Sequence, residues 1–140
     1  MKILVVYWSQ SGNTQSMADK VAEGASKAGA SVNEVSVSDF DASTIGEYDA
    51  YAFGCPASGA EQLEESEFQP FWDQVKSQLG SKKAGLFGSY GWGGGEWMQS
   101  WMADARENGV NLIEEGITAN YAPDESITKQ LVELGRILAK

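Results

Sequence analysis

This sequence of 140 residues contains no histidine and a single cysteine, Cys55. The lack of histidine excludes hydrolytic triads with a histidine base and zinc sites built from imidazole ligands. One cysteine cannot form an intramolecular disulfide. Because no histidine is present to activate the thiol, we expect Cys55 to end a buried strand rather than to act as a nucleophile.

Long hydrophobic runs and basic residues are also scarce. No apolar run is long enough to span a bilayer, and the N-terminus lacks the residue order of a signal peptide, so we expect a cytoplasmic protein without a membrane partner. The 10 basic and 20 acidic residues give a formal net charge of −10. This charge argues against nucleic acid and for basic protein partners. The length predicts one domain, residues 1–140.

Strand-like and helix-like patterns alternate along the chain. Continuous apolar runs predict strands at residues 3–7, 32–37, 49–53 and 84–87, with a weaker fifth strand within residues 111–119. The second strand is more polar and is therefore placed nearer a sheet edge. Helical periodicity begins near Met17, Phe68, Trp97 and Pro123. The alternation predicts an α/β fold with three layers, in which helices cover both faces of a mostly parallel five-stranded sheet.

Ligands of such sheets bind beyond the carboxyl ends of the strands. The loop that follows the first predicted strand, residues 9–14, is rich in hydroxyl and amide groups and leads into a helix. Its backbone N–H groups, its hydroxyls and the helix dipole suit a phosphate monoester. The loop lacks the lysine of a P-loop, which binds nucleoside triphosphates, and the three glycines of a dinucleotide-binding motif. The alternative interpretation is a hydroxyl-rich turn with an N-cap.

Two further loops leave the same predicted edge. Residues 88–95 present Tyr90 and Trp92 among glycines, which favours stacking on a ring-shaped ligand, although Trp92 could instead fold onto the core. Trp97 and Trp101 have helical spacing and are predicted to be core residues. Residues 54–65 combine small side chains, which let a flat ligand approach the backbone, with acidic residues. We expect Glu64, Glu65 and Glu67 to be solvated.

These three loops together resemble the short-chain flavodoxins of anaerobic bacteria, and the resemblance covers essentially the whole chain. It implies a flavodoxin-like fold with strand order 2-1-3-4-5 and a non-covalently bound FMN. It also implies electron transfer between redox enzymes. Metal ligands are not implied.

The resemblance assigns a role to each loop. Trp92 would stack on the isoalloxazine, Glu61 would accept a hydrogen bond from the flavin N3–H, and the peptide of Gly59 would turn toward N5 on reduction. Ser58 and Ala60 depart from close relatives, which suggests a wetter inner flavin face. The phosphate ligands would be Ser9, Gln10, Ser11, Gly12, Asn13 and Thr14, and the ring would lie against Pro56, Ala57, Ser58, Gly59, Glu61, Ser89, Tyr90, Gly91, Trp92 and Gly93.

We therefore interpret the sequence as that of a monomeric, low-potential one-electron carrier rather than an enzyme. Its partners would be redox enzymes with basic docking surfaces, because the acidic residues near the predicted flavin would attract them. The same acidic charge would oppose addition of the second electron. The alternative is a flavodoxin-like NAD(P)H-dependent quinone or FMN reductase, which would need a second pocket for nicotinamide.

Overall fold

The computed structural model describes residues 1–59 and 61–140. Two 3₁₀ helices, Val37–Asp39 and Ala42–Glu47, join the second and third strands. No helix in these described residues is both long and apolar enough to cross a membrane. The main elements are β1 (Lys2–Tyr7), α1 (Asn13–Lys27), β2 (Ser31–Ser36), β3 (Ala50–Gly54), α2 (Phe68–Val75), β4 (Lys83–Tyr90), α3 (Glu96–Glu107), β5 (Asn111–Leu112), β6 (Ile117–Asn120) and α4 (Glu125–Leu138).

The strands form a parallel sheet in the order β2-β1-β3-β4-β5, with β6 also paired to β4. The predicted strand order is confirmed, and β2 lies at an edge as its polar composition indicated. The predicted fifth strand is divided in two. The chain leaves the sheet after Leu112, passes through the exposed Glu114 and Glu115, and returns at Ile117. Two adjacent exposed carboxylates do not favour an uninterrupted buried strand.

β4 is longer than its hydrophobic pattern predicts. Residues Gly88, Ser89 and Tyr90 belong to this strand and not to the following loop, because they pair with β6. Gly88 lies so close to β3 that a Cβ atom there would be 2.1 Å from the carbonyl oxygen of Cys55. A glycine is therefore required at this crossing. β2 ends at Ser36, so Val37 lies outside the strand that was predicted to include it.

Two cores of different character lie on the two faces of the sheet. Aromatic residues fill the face toward α2 and α3, where the Trp72 ring lies 5.2 Å from Phe53 and 5.7 Å from Trp101. Trp97 and Trp101 are buried there, which confirms their prediction as core residues. The face toward α1 and α4 is built from smaller side chains of the sheet and helices, among them Ile3, Val5, Ala18, Val21, Ala25, Ala50, Ala52 and Leu134.

Small residues let α1 and α4 approach each other closely. A Cβ atom on Gly24 of α1 would lie 1.9 Å from the carbonyl oxygen of Val132 in α4. A Cβ atom on Gly135 of α4 would lie 2.0 Å from the carbonyl oxygen of Val21 in α1. Both atoms would meet backbone, which cannot rotate away as a side chain can. The helix pair therefore depends on two glycines.

We expect Gly24→Ala to lower the free energy of unfolding by about 1 to 3 kcal/mol, measured by urea denaturation, because the added methyl group forces the two backbones apart. This value is the net change, after the gain of about 1 kcal/mol that alanine brings to a helix has been subtracted from the cost of the clash. Gly46→Ala is the control, since a Cβ atom at Gly46 meets nothing within 4 Å. If Gly24→Ala were as stable as the control, close contact would not limit the helix pair.

Candidate functional site

A cleft of about 280 Å³ opens at the carboxyl edge of the sheet. It lies where the chain leaves β1, β3, β4 and β6, as expected for a ligand site in a parallel sheet. No acidic, lysine or arginine side chain is among the lining residues. These are Trp8, Ser9, Gln10, Ser11, Asn13, Thr14, Pro56, Ala57, Ser58, Ser89, Tyr90, Gly91 and Tyr121.

The N-terminus of α1 forms one wall of this cleft. The helix begins at Asn13, earlier than the apolar pattern indicated, after Gly12 in a left-handed conformation (φ +95°). The N-cap residue Gly12 has no side chain that could cap the helix, and the Ser9 hydroxyl instead accepts from the backbone N–H groups of Gly12 (3.1 Å) and Gln15 (3.3 Å). Among the described residues, the N–H groups of Asn13 and Thr14 have no acceptor. This helix end is open to an anion.

A buried pair of hydroxyls fixes the first loop to the end of β4. Thr14 Oγ1 and Ser89 Oγ are 2.9 Å apart, and the Ser89 backbone N–H donates to Thr14 Oγ1 at 3.4 Å. Ala57 continues this connection, since its N–H donates to the Ser89 carbonyl oxygen at 3.0 Å. The start of α1, the end of β4 and the loop after β3 are thus held together by hydrogen bonds.

The loop after β3 makes a tight turn near the cleft. Ser58 and Gln62 exchange two backbone hydrogen bonds of 2.8 and 3.0 Å. Gly59 within this turn is left-handed (φ +53°), and a Cβ atom there would meet only Gln62 Nε2, at 3.9 Å. Gly59 therefore already has a left-handed backbone, which disfavours any residue with a side chain, without the peptide rotation that the resemblance implies on reduction. Ala60, whose effect on the flavin face was predicted, lies outside the described residues.

Glu61 has one carboxylate oxygen without a partner. Its Oε2 accepts from the backbone N–H of Trp97 at 3.1 Å, in the first turn of α3, where the helix dipole favours negative charge. Its Oε1 is buried and has no hydrogen-bond partner among the residues that the structure describes. The backbone of Gly93 lies close to this oxygen: a Cβ atom on Gly93 would be 1.6 Å from Oε1, so only glycine leaves room for it. A buried unpartnered oxygen is costly and calls for a donor.

Not every predicted site residue lines the cleft. Trp92 has 67% of its surface exposed and lies outside the lining, although it follows the lining residue Gly91. Tyr90 is half-buried and packs on Trp97, with ring centres 5.6 Å apart. The predicted residues outside the lining are Gly12, Gly59, Glu61, Trp92 and Gly93.

Two lining residues, Trp8 and Tyr121, were not predicted. Trp8 directly follows β1, so its place at the carboxyl edge could have been recognised from the apolar run before it. Tyr121 directly follows β6, which the sequence indicated only weakly. Its position therefore depended on a strand boundary that the pattern did not define.

The prediction that Glu64 is solvated is wrong. Glu64 is only 7% exposed, and its carboxylate accepts from the backbone N–H groups of Glu67 (2.8 Å) and Phe68 (2.9 Å) and from Ser66. Burial would raise the pKa of Glu64, but these hydrogen bonds outweigh it and hold the pKa below its usual value. Glu64 therefore supports the start of α2, while Glu65 and Glu67 are exposed as predicted.

Cys55 confirms the structural role predicted for it. It follows the last residue of β3 and is fully buried. Burial raises the pKa of its thiol, so the thiolate needed for nucleophilic attack does not form at neutral pH.

Comparison with known proteins identifies the family. The sequence matches the flavodoxin family profile over residues 5–135. It is 40% identical to the flavodoxin of Megasphaera elsdenii, over 97% of both chains, and 38% identical to that of Clostridium beijerinckii, over 96% of this chain and 97% of the relative. The solution structure of two-electron reduced Megasphaera elsdenii flavodoxin superposes with a TM-score of 0.89, at 39% identity and 98% coverage of both chains. The chain belongs to the flavodoxin family.

Flavodoxins bind FMN and transfer electrons, and this chain is an FMN-binding electron carrier. Three features of the structure fit that cofactor. The open N-terminus of α1 suits the phosphate, the uncharged cleft suits the ribityl chain, and the unpartnered Oε1 of Glu61 suits an N–H donor of the ring. The residues present therefore agree with the cofactor of the flavodoxin family.

The Gly93 contact generates a prediction about FMN affinity. We expect Gly93→Ala to weaken FMN binding at least about tenfold in a fluorescence titration, because the methyl group displaces Glu61 Oε1 and a buried hydrogen bond is lost. Gly95→Ala is a matched control: its φ of +86° is close to the +87° of Gly93, but its Cβ would meet nothing within 4 Å. Both variants should lose similar apoprotein stability through left-handed strain. An equal loss of FMN affinity in both would contradict the role of Glu61.

Proposed function

We propose that this flavodoxin is a monomeric, low-potential, one-electron carrier that passes electrons between redox enzymes with basic docking surfaces and has no enzymatic activity of its own. The observation that carries the proposal is the charge pattern of the carboxyl edge. The cleft itself is uncharged, and every charged residue in the loops around it is acidic.

Neutral donors would hold the phosphate. We assign this role to the loop of residues 9–14, in which the Asn13 and Thr14 N–H groups are open and the Ser9, Ser11 and Thr14 hydroxyls are nearby. Because no lysine or arginine lines the cleft, the two negative charges of the phosphate are retained close to the ring. The phosphate then contributes to a low potential as well as to binding.

The remaining predicted residues would hold the isoalloxazine. FMN supplies the ability to accept and release electrons one at a time, and the chain orients it. Glu61 Oε1 would accept from the ring N3–H, and Trp92 would turn from solvent to stack on the ring. The other assigned contacts are Pro56, Ala57, Ser58, Gly59, Ser89, Tyr90, Gly91 and Gly93.

Acidic residues around the cleft would make addition of the second electron unfavourable. A carboxylate about 10 Å from the ring raises the energy of an added negative charge by roughly 1.7 kcal/mol at an effective dielectric constant near 20, which is about 70 mV for one electron. Solvent screening reduces this value for exposed groups. The residues in question follow β3, β4 and β6 and are Glu61, Glu64, Glu65, Glu67, Glu96, Asp124 and Glu125.

A reductase that uses NAD(P)H is the alternative, and the flavodoxin relatives do not favour it. The two functions differ in a simple experiment. Purified protein loaded with FMN should keep its yellow colour when NADPH alone is added and should bleach only when a separate reductase is supplied. Bleaching by NADPH alone would replace the carrier proposal with the reductase.

The phosphate assignment predicts a difference between FMN and riboflavin. Asn13→Ala keeps the backbone N–H but removes the side-chain amide, a second donor on this lining residue. We expect it to weaken FMN binding by about tenfold or more, because hydrogen bonds to charged groups contribute roughly 1.5 to 3 kcal/mol, and to leave riboflavin affinity almost unchanged. Titration of the apoprotein with each flavin measures this. Asn111→Ala, which removes a contact to the Ser81 carbonyl oxygen at the opposite edge of the sheet, is the control. Equal losses for both flavins would refute phosphate binding here.

The acidic edge predicts that electron transfer depends on salt. The rate of transfer to a basic c-type cytochrome should fall steeply as ionic strength rises, and replacing Glu65 and Glu67 by glutamine should reduce that slope. Glu107→Gln removes a similar exposed charge at the far end of α3, about 16 Å along the helix from Glu96. This control should keep the wild-type slope. A rate independent of salt would show that the acidic edge does not guide docking.

A further inference from the structure

Tyr121 occupies an unusual position at the rim of the cleft. It follows the last residue of β6, and its backbone N–H donates to the Tyr90 carbonyl oxygen at 2.8 Å. Asn120 Nδ2 donates to the same oxygen at 3.3 Å. The end of β6 is thereby fixed to the end of β4, and Tyr121 lines the same cleft as the loop of residues 9–14.

The backbone of Tyr121 is strained. Its φ of +62° lies in the left-handed region, which is uncommon for a bulky residue because the Cβ atom crowds the following carbonyl oxygen. Glycine would adopt this conformation without strain. Such strain is concentrated at functional sites, where the surrounding structure holds it in place. The strained backbone sets the direction of a large aromatic side chain at the cleft.

The ring of Tyr121 lies against the bare backbone of Gly91. A Cβ atom on Gly91 would be 3.1 Å from Tyr121 Cε1 and 3.5 Å from its hydroxyl oxygen. The ring nevertheless leaves 59% of the residue exposed. An aromatic side chain packed on one side and open on the other, at the rim of a ligand cleft, offers a surface and a hydroxyl to the ligand.

We propose that Tyr121 is a further ligand-binding residue: its hydroxyl donates to the FMN phosphate and its ring covers the ribityl chain. The chemistry matches the rest of the cleft, because a phenol is a neutral donor and the lining contains no lysine or arginine. This inference rests on the proposed phosphate site and adds a contact from the β6 side, opposite the N-terminus of α1.

Two variants separate the hydroxyl from the ring. Tyr121→Phe should weaken FMN binding about tenfold and change riboflavin affinity less than about twofold, because only FMN carries the charged acceptor. Tyr121→Gly should weaken both flavins, while the apoprotein should become no less stable, since glycine relieves the left-handed strain. Tyr48→Phe is the control. Tyr48 lies just before β3, away from the cleft, and its hydroxyl accepts from Asn33 Nδ2 at 2.8 Å.

The outcomes distinguish this inference from the proposed function. If Tyr121→Phe binds both flavins like the wild type, or loses affinity for both equally, the phosphate contact is wrong. If Tyr121→Gly loses stability without losing flavin affinity, Tyr121 is a structural residue. If wild-type apoprotein binds FMN no more tightly than riboflavin, the phosphate site itself fails and this inference fails with it.

Discussion

The need to partner the backbone N–H groups at the start of α1 governs the site. Gly12 turns the chain through a left-handed conformation at the end of the loop that follows β1, and the helix then starts from an N-cap residue that has no capping side chain. The Ser9 hydroxyl accepts from only two backbone N–H groups here, and those of Asn13 and Thr14, two residues that line the cleft, have no acceptor among the described residues. In many helices the side chain of the N-cap residue accepts a hydrogen bond from one of these backbone N–H groups. Here the N–H groups of Asn13 and Thr14 remain open, and the Thr14–Ser89 hydrogen bond holds the end of β4 beside them.

The separation of charge along the sheet follows from the same arrangement. Neutral donors suffice for a phosphate at a helix N-terminus, so the cleft needs no cation, and acids are free to accumulate around it. Basic residues lie at the opposite edge, where Lys2 begins β1, Lys83 begins β4, and Lys83 Nζ donates to the carbonyl oxygen of Lys140. Acids also lie at that edge, where Glu47 Oε1 is 3.8 Å from Lys2 Nζ, so the charge there is mixed, whereas the loops around the cleft carry acids only. This asymmetry would turn the cleft toward a basic partner.

Much of this could be predicted from the sequence because strands and loops leave local patterns. The apolar run before Ser9 located the first loop of the cleft, and the glycines around Trp92 located the loop after β4. The missed features depend on partners distant in sequence. β4 extends to Tyr90 only because β6 pairs with it, and Glu64 is buried only because the chain turns so that its carboxylate meets the first N–H groups of α2. A run of acidic residues in a sequence does not show which carboxylate accepts from the N–H groups of a helix and which is exposed to solvent.

Backbone strain in the described residues is concentrated where the cofactor is expected. Apart from glycines, the described residues with positive φ are Glu61 and Tyr121, on either side of the loop that contains Gly91 and Gly93. Each is held by hydrogen bonds to the core: Glu61 by the Trp97 N–H and Tyr121 by the Tyr90 carbonyl oxygen. A folded chain that keeps two strained residues and an unpartnered carboxylate oxygen is less stable than it could be. A ligand that supplies the missing donor and covers the exposed ring offsets that cost, so cofactor affinity and apoprotein stability oppose each other at these two residues.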